Sequence, residues 1–361
     1  MLLDHYVTLG RSGLRVSPFC LGAMTFGEEW GFGSDEKTSA EIIDRFLDRG
    51  GNFIDTANTY NRGHSERIIG DHIGHDGARR DRIVIATKFS ANMHAGDPNG
   101  GGANRKSIVT ACEASLRRLR TDYIDLYWQH WEDPFTPVEE TMRALDDLVS
   151  AGKVRYLGFS DTPAWKVAQA QVTARFLGWA PLIALQIEYS LLERTVEGDL
   201  IPMARELGLG VTPWSPLRSG VLSGKYTRDN MKAESAGRAA WVARNVNEHT
   251  FQVLDALTDV ARKRETTPAR VALAWVAARA GVTSTIIGAR KLEQLADNLA
   301  ALELRLEPDD IEALNAVSTP KLNFPAHFLP NTWNATYGGM TINGRSFAVN
   351  PMAEIAKPKA Q

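Results

Sequence analysis

Short β-branched segments alternate with longer segments of helical periodicity along most of this 361-residue sequence, and this alternation limits the possible folds more than any other feature. Most of the short segments begin about 28 to 41 residues after the one before, which is the length of one strand, one helix and two loops. Eight strands are predicted, at residues 18–21, 52–55, 83–88, 124–130, 154–160, 183–187, 210–214 and 285–288. Such a repeat predicts a parallel sheet covered by helices.

The segments between the predicted strands carry helix signals of their own. Residues 136–139 read Thr-Pro-Val-Glu, a capping box with proline at the first helical position, and Gly152 marks the end of that helix. Cys112 falls on the apolar face of another predicted helix, so we expect it to be buried rather than reactive. The pattern as a whole predicts an α/β fold, a (β/α)8 TIM barrel in which loops at the C-terminal ends of the strands build the functional site.

Two segments exceed the length that such a barrel requires. A polar stretch at residues 226–249 precedes the last strand, and we interpret it as a long loop after strand 7. Beyond residue 317 the chain loses its periodicity. This part contains four large aromatic side chains, Phe324, Phe328, Trp333 and Tyr337. We therefore predict a barrel domain of residues 1–318 and a C-terminal tail of residues 319–361 that packs on or near the barrel mouth and caps the pocket.

Composition and charge argue against several classes of function. The formal net charge of −2 provides no overall field for nucleic acid or an anionic membrane surface. Two cysteines cannot build a disulfide framework, so we expect a cytoplasmic protein. The longest apolar run, residues 268–289, is interrupted by two arginines, which disfavours a membrane span. The pair His72 and His75 lacks a third ligand, and neither a GxGxxG fingerprint nor a P-loop occurs, so we expect no metal site and no Rossmann domain.

Titratable side chains follow the second, third and fourth predicted strands. Asp55 ends the second strand and Tyr60 comes shortly after it, Lys88 ends the third, and His130 ends the fourth. Any one of these residues alone is more often structural. Four titratable types at three consecutive strand ends would, however, meet at one mouth of a barrel. The sequence therefore predicts a proton-transferring site at that mouth.

Motifs around these residues resemble those of the aldo-keto reductase superfamily, over residues 6–298. Residues 55–60, DTANTY, are similar to the family's D-x-A-x-x-Y segment, and residues 63–70 resemble the G-x-S-E-x-x-x-G pattern that follows it. The blocks TDYIDLYWQHW at residues 121–131 and GKVRYLGFSD at residues 152–161 are similar to the fourth and fifth strands of the family. The branch most alike contains bacterial aldo/keto reductases and the potassium-channel β subunits.

The resemblance implies that hydride passes from a nicotinamide to a carbonyl carbon while Tyr60, as general acid, protonates the carbonyl oxygen. An isolated tyrosine has a pKa of about 10, and the ammonium of Lys88 is expected to lower the pKa of Tyr60. Asp55 would keep Lys88 charged and oriented, and His130 would donate a hydrogen bond to the carbonyl oxygen. The implied activity is reversible, NADPH-dependent reduction of aldehydes and ketones to alcohols, which makes the protein an oxidoreductase.

The same resemblance implies NADPH/NADP+ as the cofactor. Asp161 departs from the commoner Asn, and Arg290 would bind a 2′-phosphate with two hydrogen bonds, which favours NADPH over NADH. The stretch at residues 226–249 would fold over the bound cofactor as a clamp. The implied cofactor-binding residues are Met24, Thr25, Asp55, Ser160, Asp161, Gln186, Trp214, Ser215, Pro216, Leu217, Gly220, Lys225, Gly288, Arg290, Gln294, Asp297 and Asn298.

The substrate pocket implied by the resemblance is rich in aromatic rings. Its residues are Trp30, Phe32, Tyr60, His130 and Trp131. Such a pocket suits bulky or cyclic carbonyl compounds, including xenobiotic ketones, so the expected partner is a small molecule. The sequence does not indicate an oligomeric state.

Two other functions stay open at this point. The chain could be a nucleotide-binding partner subunit like the potassium-channel β subunits, although those lack histidine at the position of His130. It could also be a Schiff-base aldolase that uses Lys88, because that lysine ends a barrel strand. An aldolase would leave Tyr60 and the nucleotide-binding motifs unexplained.

Overall fold

Eight parallel strands form the central sheet. The computed structural model describes residues 2–226 and 246–349, and all bounds below refer to these parts of the chain. A short hairpin of β1 (Val7–Thr8) and β2 (Arg15–Val16) comes first. The strands of the central sheet are β3 (Phe19–Gly22), β4 (Phe53–Asp55), β5 (Val84–Phe89), β6 (Ile124–Gln129), β7 (Val154–Ser160), β8 (Leu182–Glu188), β9 (Gly210–Trp214) and β10 (Thr285–Gly288).

The sheet curves into a nearly closed barrel. Each strand pairs in parallel with the next one along the chain up to β9, and β10 pairs with β3, with Gly288 opposite Gly22. The residues just before β10 complete the ring, because Val211 of β9 bridges Val282 and its backbone N–H donates to the Gly281 carbonyl oxygen. Each of the eight predicted strands is present with ends that agree to within one residue. The predicted (β/α)8 barrel is confirmed.

Helices surround the barrel and connect its strands. They are α1 (Glu36–Asp48), α2 (His64–Ile69), α3 (Gly77–Arg80), α4 (Arg105–Leu119), α5 (Val138–Ser150), α6 (Ala164–Leu177), α7 (Leu200–Leu207), α8 (Glu248–Lys263), α9 (Pro268–Ala277), α10 (Leu292–Ala300), α11 (Pro308–Ser318) and α12 (Leu329–Tyr337). Short 3-10 segments at Tyr60–Gly63, Thr195–Glu197 and Arg218–Ser223 follow β4, β8 and β9. In the described residues, no helix is long and apolar enough to cross a membrane.

The predicted capping box at residues 136–139 is wrong. The helix α5 does begin there, but Pro137 takes the cap position and no side chain accepts a hydrogen bond from the first turn. The hydroxyl of Thr136 donates instead to the carboxylate of Asp133 at 2.7 Å. A carboxylate in the preceding loop is a stronger acceptor than a neutral group, and sequence spacing alone does not show that it lies within reach.

Two apolar cores hold the structure together, one inside the barrel and one between the barrel and its helices. The inner core includes Phe53, Leu126 and Trp128 from the strands together with Leu9 and Val16 from the N-terminal hairpin. The hairpin lies against the start of β9, and so it closes the N-terminal end of the barrel. Dense filling of this kind is usual for such barrels, whose interior is a packed core rather than a pore.

The size of Trp128 explains the glycine opposite it. A Cβ on Gly158 of β7 would lie 2.3 Å from the Trp128 ring, so no larger residue fits at that position. Cys112 is fully buried on α4 in the outer core, as predicted, and Cys20 is fully buried in the inner one.

The tail lies on the surface of the molecule. Among residues 319–349 none is buried, and Phe324 is 73% exposed. Leu322 and Ala326 lie beside Gly198, in the connection that follows β8 at the C-terminal side of the barrel. The division into barrel and tail, and the capping of the pocket by the tail, stay predictions. The predicted clamp falls mainly on residues 227–245, outside the described residues.

Candidate active site

A cavity of about 1020 Å³ opens at the C-terminal ends of the barrel strands. Pockets for small ligands usually measure about 300–1000 Å³, so this cavity lies at the upper end of that range. Every residue predicted to act in catalysis, cofactor binding or substrate binding lines it, except Lys88, which is fully buried. The cavity is also lined by residues that were not predicted, namely Gly22, Gly31, Thr59, Ser219, Ser223, Ala269, Leu273, Ile286, Ile287 and Ala289.

Those additional residues were missed for two different reasons. Ser219 and Ser223 belong to the same loop as the predicted Ser215, so their position in that loop could have identified them as lining residues. Ala269 and Leu273 come from α9, whose apolar sequence carries no chemical signal that would distinguish a cavity wall from a core. The structure therefore brings the predicted residues together around one cavity, whose lining also includes these further residues.

Lys88 lies at the centre of a buried hydrogen-bonded group at the end of β5. Its ammonium forms an ion pair with Asp55 and donates to the Thr56 carbonyl oxygen at 2.8 Å and to the Tyr60 hydroxyl oxygen at 3.2 Å. Gln186 Nε2 donates to the second carboxylate oxygen of Asp55 at 3.0 Å. Burial by itself would lower the pKa of Lys88, but Asp55 and Tyr60 together raise it above its ordinary value. Lys88 is therefore an ammonium ion.

The hydroxyl of Tyr60 is held so that its own hydrogen is available to a ligand. An ammonium can only donate hydrogen bonds, so the Tyr60 oxygen accepts from Lys88 and the hydroxyl hydrogen points elsewhere. Tyr60 also lines the cavity. An oxygen atom of a bound ligand can therefore accept a hydrogen bond from Tyr60.

The pKa of Tyr60 differs in direction from the sequence-based expectation. Loss of contact with water raises this pKa, and although Lys88 lowers it as predicted, the net shift is upward. The expectation of a net decrease is wrong because sequence shows the neighbouring charge but not the extent of burial. The phenol is protonated at neutral pH, which is the state that a general acid requires.

His130 lies beside Tyr60 as a neutral ring. Burial and, to a smaller extent, the charge of Lys88 lower the pKa of His130 to about 2. The two rings meet edge to face with their centroids 5.7 Å apart. A neutral imidazole carries one N–H, and within the described residues His130 Nδ1 has no hydrogen-bond partner. The ring can therefore act as a hydrogen-bond partner for a ligand in the cavity without adding a charge.

Polar groups at the ends of β7 and β9 lie further along the cavity. The Ser160 hydroxyl is buried there next to the carboxyl group of Asp161. Trp214 Nε1 donates to the carboxylate of Asp161 at 3.0 Å. Poor solvation within the cavity raises the pKa of Asp161 to about 6, and the nearby charge of Glu188 acts in the same direction. This carboxyl group therefore changes charge within the physiological pH range.

The far end of the cavity is formed by the start of α10 and the residues before it. Arg290 lines this end and is partly exposed, and its backbone N–H donates to Gln294 Oε1 at 2.9 Å. Asp297 is already paired with Arg270, whose Nε lies 2.7 Å away. Asn298 Nδ2 donates to the Gly288 carbonyl oxygen at 3.1 Å. Of these predicted residues, Asp297 and Asn298 therefore support the wall, while Arg290 can reach a ligand.

Aromatic rings form a wall of the cavity next to Tyr60. Trp30 lies 6.2 Å from Tyr60 and 6.1 Å from Phe32, measured between ring centroids. On the other side, Trp131 stacks at a tilt on His130 with a centroid distance of 4.3 Å. The wall thus surrounds the hydroxyl of Tyr60 with flat apolar surfaces, and such surfaces bind planar or bulky apolar groups.

Part of the motif that follows Tyr60 has a structural role. Glu66 is fully buried, and it accepts hydrogen bonds from Thr87 Oγ1 and from Arg118 Nε, each at 2.5 Å. A Cβ on Gly70 would lie 2.2 Å from the Arg118 carbonyl oxygen, so glycine permits the close approach of this segment to α4. These two motif residues therefore join α2 to the barrel and to α4 and do not line the cavity.

The comparisons with known proteins agree with this geometry. The family model described as Aldo/keto reductase family matches residues 18–319. An uncharacterized oxidoreductase of Bacillus subtilis, YrpG, is 42% identical over 87% of this chain and 95% of its own length. A putative aryl-alcohol dehydrogenase of Saccharomyces cerevisiae, AAD14, is 38% identical over 87% of this chain and 86% of its own. A norsolorinic acid reductase of Aspergillus flavus is 36% identical over 92% and 86% of the two chains.

Proposed function

Because this chain belongs to the aldo/keto reductase family, we propose that it reduces aldehydes and ketones to alcohols with NADPH and catalyses the reverse oxidation. The observation that carries this proposal is the arrangement of Tyr60 at the cavity surface, with its oxygen bonded to the buried ammonium of Lys88 and a neutral His130 beside it. This arrangement combines a proton donor, a cation that stabilises the donor's anion, and a hydrogen-bonding ring next to one ligand position.

The lining of the cavity fits a nicotinamide dinucleotide. The buried hydroxyl of Ser160 and the carboxyl of Asp161 are polar partners that an amide group could use, and Trp214 offers a flat ring beside them. Arg290 at the far end would hold a 2′-phosphate. When bound, NADPH supplies the hydride that reduces the carbonyl carbon.

The residues of this chain then act on the carbonyl oxygen. Tyr60 donates its proton as negative charge develops on that oxygen, and the phenolate left behind lies beside the ammonium of Lys88, which stabilises it. Asp55 holds Lys88 in place, and its second oxygen is fixed by Gln186. His130 orients the oxygen by a hydrogen bond. In the reverse direction the phenolate of Tyr60 accepts the proton of the alcohol.

We further propose that the substrates are bulky carbonyl compounds with aromatic or cyclic groups. The wall of Trp30, Phe32 and Trp131 around Tyr60 favours flat apolar groups over small aliphatic ones. The names of two relatives, an aryl-alcohol dehydrogenase and a norsolorinic acid reductase, are consistent with this choice.

The state of Lys88 argues against a Schiff-base aldolase. Such an enzyme needs a neutral amine as its nucleophile. In this protein Asp55 and Tyr60 raise the pKa of Lys88 above its ordinary value despite its burial, and the amine does not line the cavity. Two buried free thiols, Cys20 and Cys112, are consistent with a reducing compartment, and we propose a cytoplasmic location.

The proposal is tested by following the loss of NADPH absorbance with a panel of aldehydes and ketones. We expect turnover with NADPH to exceed turnover with NADH, and we expect Arg290→Ala to weaken NADPH binding about tenfold or more while NADH binding stays the same, because a charged hydrogen bond to a phosphate is lost. Lys291→Ala, beside it on the surface, is the control. An inactive wild-type protein would overturn the proposed reductase activity. An unchanged preference for NADPH over NADH in Arg290→Ala would overturn the role of Arg290.

Asp161 predicts a pH effect on cofactor binding. The oxidised nicotinamide ring is positively charged and the reduced ring is neutral, so ionised Asp161 favours NADP+ over NADPH. Because the pKa of Asp161 is about 6, the ratio of the NADP+ to the NADPH dissociation constant should rise several-fold as the pH falls through that value. The 2′-phosphate is present in both forms, so its ionisation largely cancels in the ratio. Fluorescence titrations of the wild type and of Asp161→Asn at several pH values measure this ratio of dissociation constants, which should not change with pH in the variant. A ratio that does not change with pH in the wild type would contradict the prediction.

A further inference from the structure

The aromatic wall depends on the loop between β3 and α1, residues 23–35. The base of this loop is closed by backbone hydrogen bonds, from Gly27 N–H to the Ser34 oxygen at 2.9 Å and from Ser34 N–H to the Thr25 oxygen at 2.8 Å. Trp30 lies in the part that projects beyond this base and lines the cavity. The position of Trp30 therefore depends on what holds the projecting part.

Asn61, the residue after Tyr60, binds the loop at both its base and its tip. Its amide nitrogen donates to the Phe26 carbonyl oxygen at 2.9 Å and to the Met24 carbonyl oxygen at 3.2 Å. Its amide oxygen accepts a hydrogen bond from the backbone N–H of Trp30 at 3.2 Å. Asn61 is fully buried and does not line the cavity, so the whole polar end of its side chain serves the loop.

The backbone of Asn61 explains why this residue can reach the loop. Its φ is 45°, in the left-handed region, which asparagine tolerates better than most residues. A Cβ on Gly27 would lie 3.1 Å from the Cβ of Asn61, so the loop approaches closely at a residue that has no side chain. The close contact between Asn61 and the loop therefore depends on the left-handed backbone of Asn61 and on the lack of a side chain at Gly27.

The next residues along the chain hold the loop at further points. His64 Nε2 lies 2.9 Å from a carboxylate oxygen of Glu36, and His64 Nδ1 pairs with Glu29 within the loop. Ser65 Oγ donates to the Ala23 carbonyl oxygen at 2.7 Å. The segment that begins directly after Tyr60 thus contacts the loop from its first residue to the start of α1.

We propose that Asn61 is a positioning residue that sets the distance between Trp30 and the hydroxyl of Tyr60, and that it thereby determines how well bulky aromatic carbonyl compounds are used. The proposal rests on the proposed carbonyl reduction at Tyr60. Since Asn61 is covalently next to Tyr60 and hydrogen-bonded to Trp30, it links the proton donor to the wall that orients the substrate. Displacement of such a wall by about 1 Å can lower the rate of a reaction by about 10²-fold.

Asn61→Gly tests the inference, because glycine keeps the left-handed backbone and removes all three side-chain hydrogen bonds. We expect kcat/KM for naphthaldehyde to fall about tenfold or more, and kcat/KM for butanal, whose short alkyl chain offers the Trp30 ring little apolar surface to orient, to fall much less. Asn61→Asp is the second variant, since it also tolerates this backbone and keeps the acceptor for Trp30. The matched control is Glu265→Gly, another residue in the left-handed region, with φ of 51° in an exposed turn between α8 and α9 and outside the cavity lining. It should behave like the wild type.

Two measurements separate positioning from a general loss of structure. In a double-mutant cycle, Trp30→Ala and Asn61→Gly should not be additive on kcat/KM for naphthaldehyde, because Asn61 acts through Trp30. Amide hydrogen exchange should accelerate in residues 24–33 of Asn61→Gly and of Asn61→Asp, and not in the rest of the barrel. Equal losses for both aldehydes, additive effects, or unchanged exchange in the loop would each overturn the proposal. Hydrogen exchange can be measured without turnover. If the wild type showed no reductase activity but exchange in the loop still accelerated in the Asn61 variants, the proposed function alone would have failed.

Discussion

Replacing Tyr60 with phenylalanine should lower kcat for carbonyl reduction by about 10³-fold, because general acid catalysis by a positioned side chain contributes about 10²–10⁴-fold. The substitution removes one oxygen atom, the acceptor of the 3.2 Å hydrogen bond from Lys88. Lys88 keeps its partners Asp55 and Thr56, so the buried ion pair should persist. Steady-state rates with NADPH and a panel of carbonyl compounds measure the loss, and a fluorescence titration should show that NADPH still binds.

A second tyrosine provides the matched control. Tyr127 is fully buried between the barrel and α4 and is not part of the cavity lining, and its hydroxyl donates a long hydrogen bond of 3.5 Å to the Ile108 carbonyl oxygen. Tyr127→Phe removes the same atom and should leave kcat as it is. If Tyr60→Phe retained more than about a tenth of wild-type activity, Tyr60 would not be the general acid.

Lys88→Met should both inactivate and destabilise the protein. Without the ammonium the phenolate of Tyr60 loses its neighbouring cation, so we expect kcat to fall by at least about 10²-fold. The carboxylate of Asp55 would also be left buried and without its counter-ion, and breaking a buried pair in this way costs about 3–5 kcal/mol of unfolding free energy. Steady-state kinetics and urea unfolding measure the two effects.

Two further variants separate those effects. Lys88→Met combined with Asp55→Asn removes the uncompensated charge, so stability should recover while activity stays low. Lys153→Met removes a lysine from the partly exposed pair with Glu113, and it should cost less than about 1 kcal/mol and leave kcat unaltered. If Lys88→Met were as active as the wild type, or if the double variant regained activity, Lys88 would have no role in the proton transfer.

The strands and the mouth of the barrel could be predicted because their signals are local. A strand such as β7 is a short, mostly apolar segment with a clear beginning and end. Because the C-terminal ends of all the strands lie at the same mouth of a parallel barrel, side chains at the predicted strand ends are expected to lie close together there. Lys88 was correctly placed beside Asp55 and Tyr60 for this reason. The position of a site in a parallel barrel follows from topology alone.

The electrostatic state of the site and the role of Asn61 could not be predicted in the same way. The upward shift in the pKa of Tyr60 depends on how much water the folded protein removes from the hydroxyl, and no sequence pattern gives that quantity. The side chain of Asn61 makes hydrogen bonds to backbone atoms of a loop 31 to 37 residues earlier in the chain. Backbone partners leave no trace in side-chain chemistry, so this contact becomes visible only in three dimensions.

The closure of the barrel by its N-terminal hairpin has a consequence for how Tyr60 would regain its proton between turnovers. In the proposed mechanism each reduction would leave the phenol without a proton, and the replacement would come from solvent. Below Lys88 the interior is filled by Phe53, Leu126 and Trp128, all fully buried, and Leu9 of the hairpin joins the same cluster at the closed end. In the described part of the chain this packed cluster fills the closed end, so in the proposed mechanism the proton would enter through the mouth that admits the substrate. Departure of the alcohol and delivery of the next proton would then share one route, and a product that stays bound would delay both.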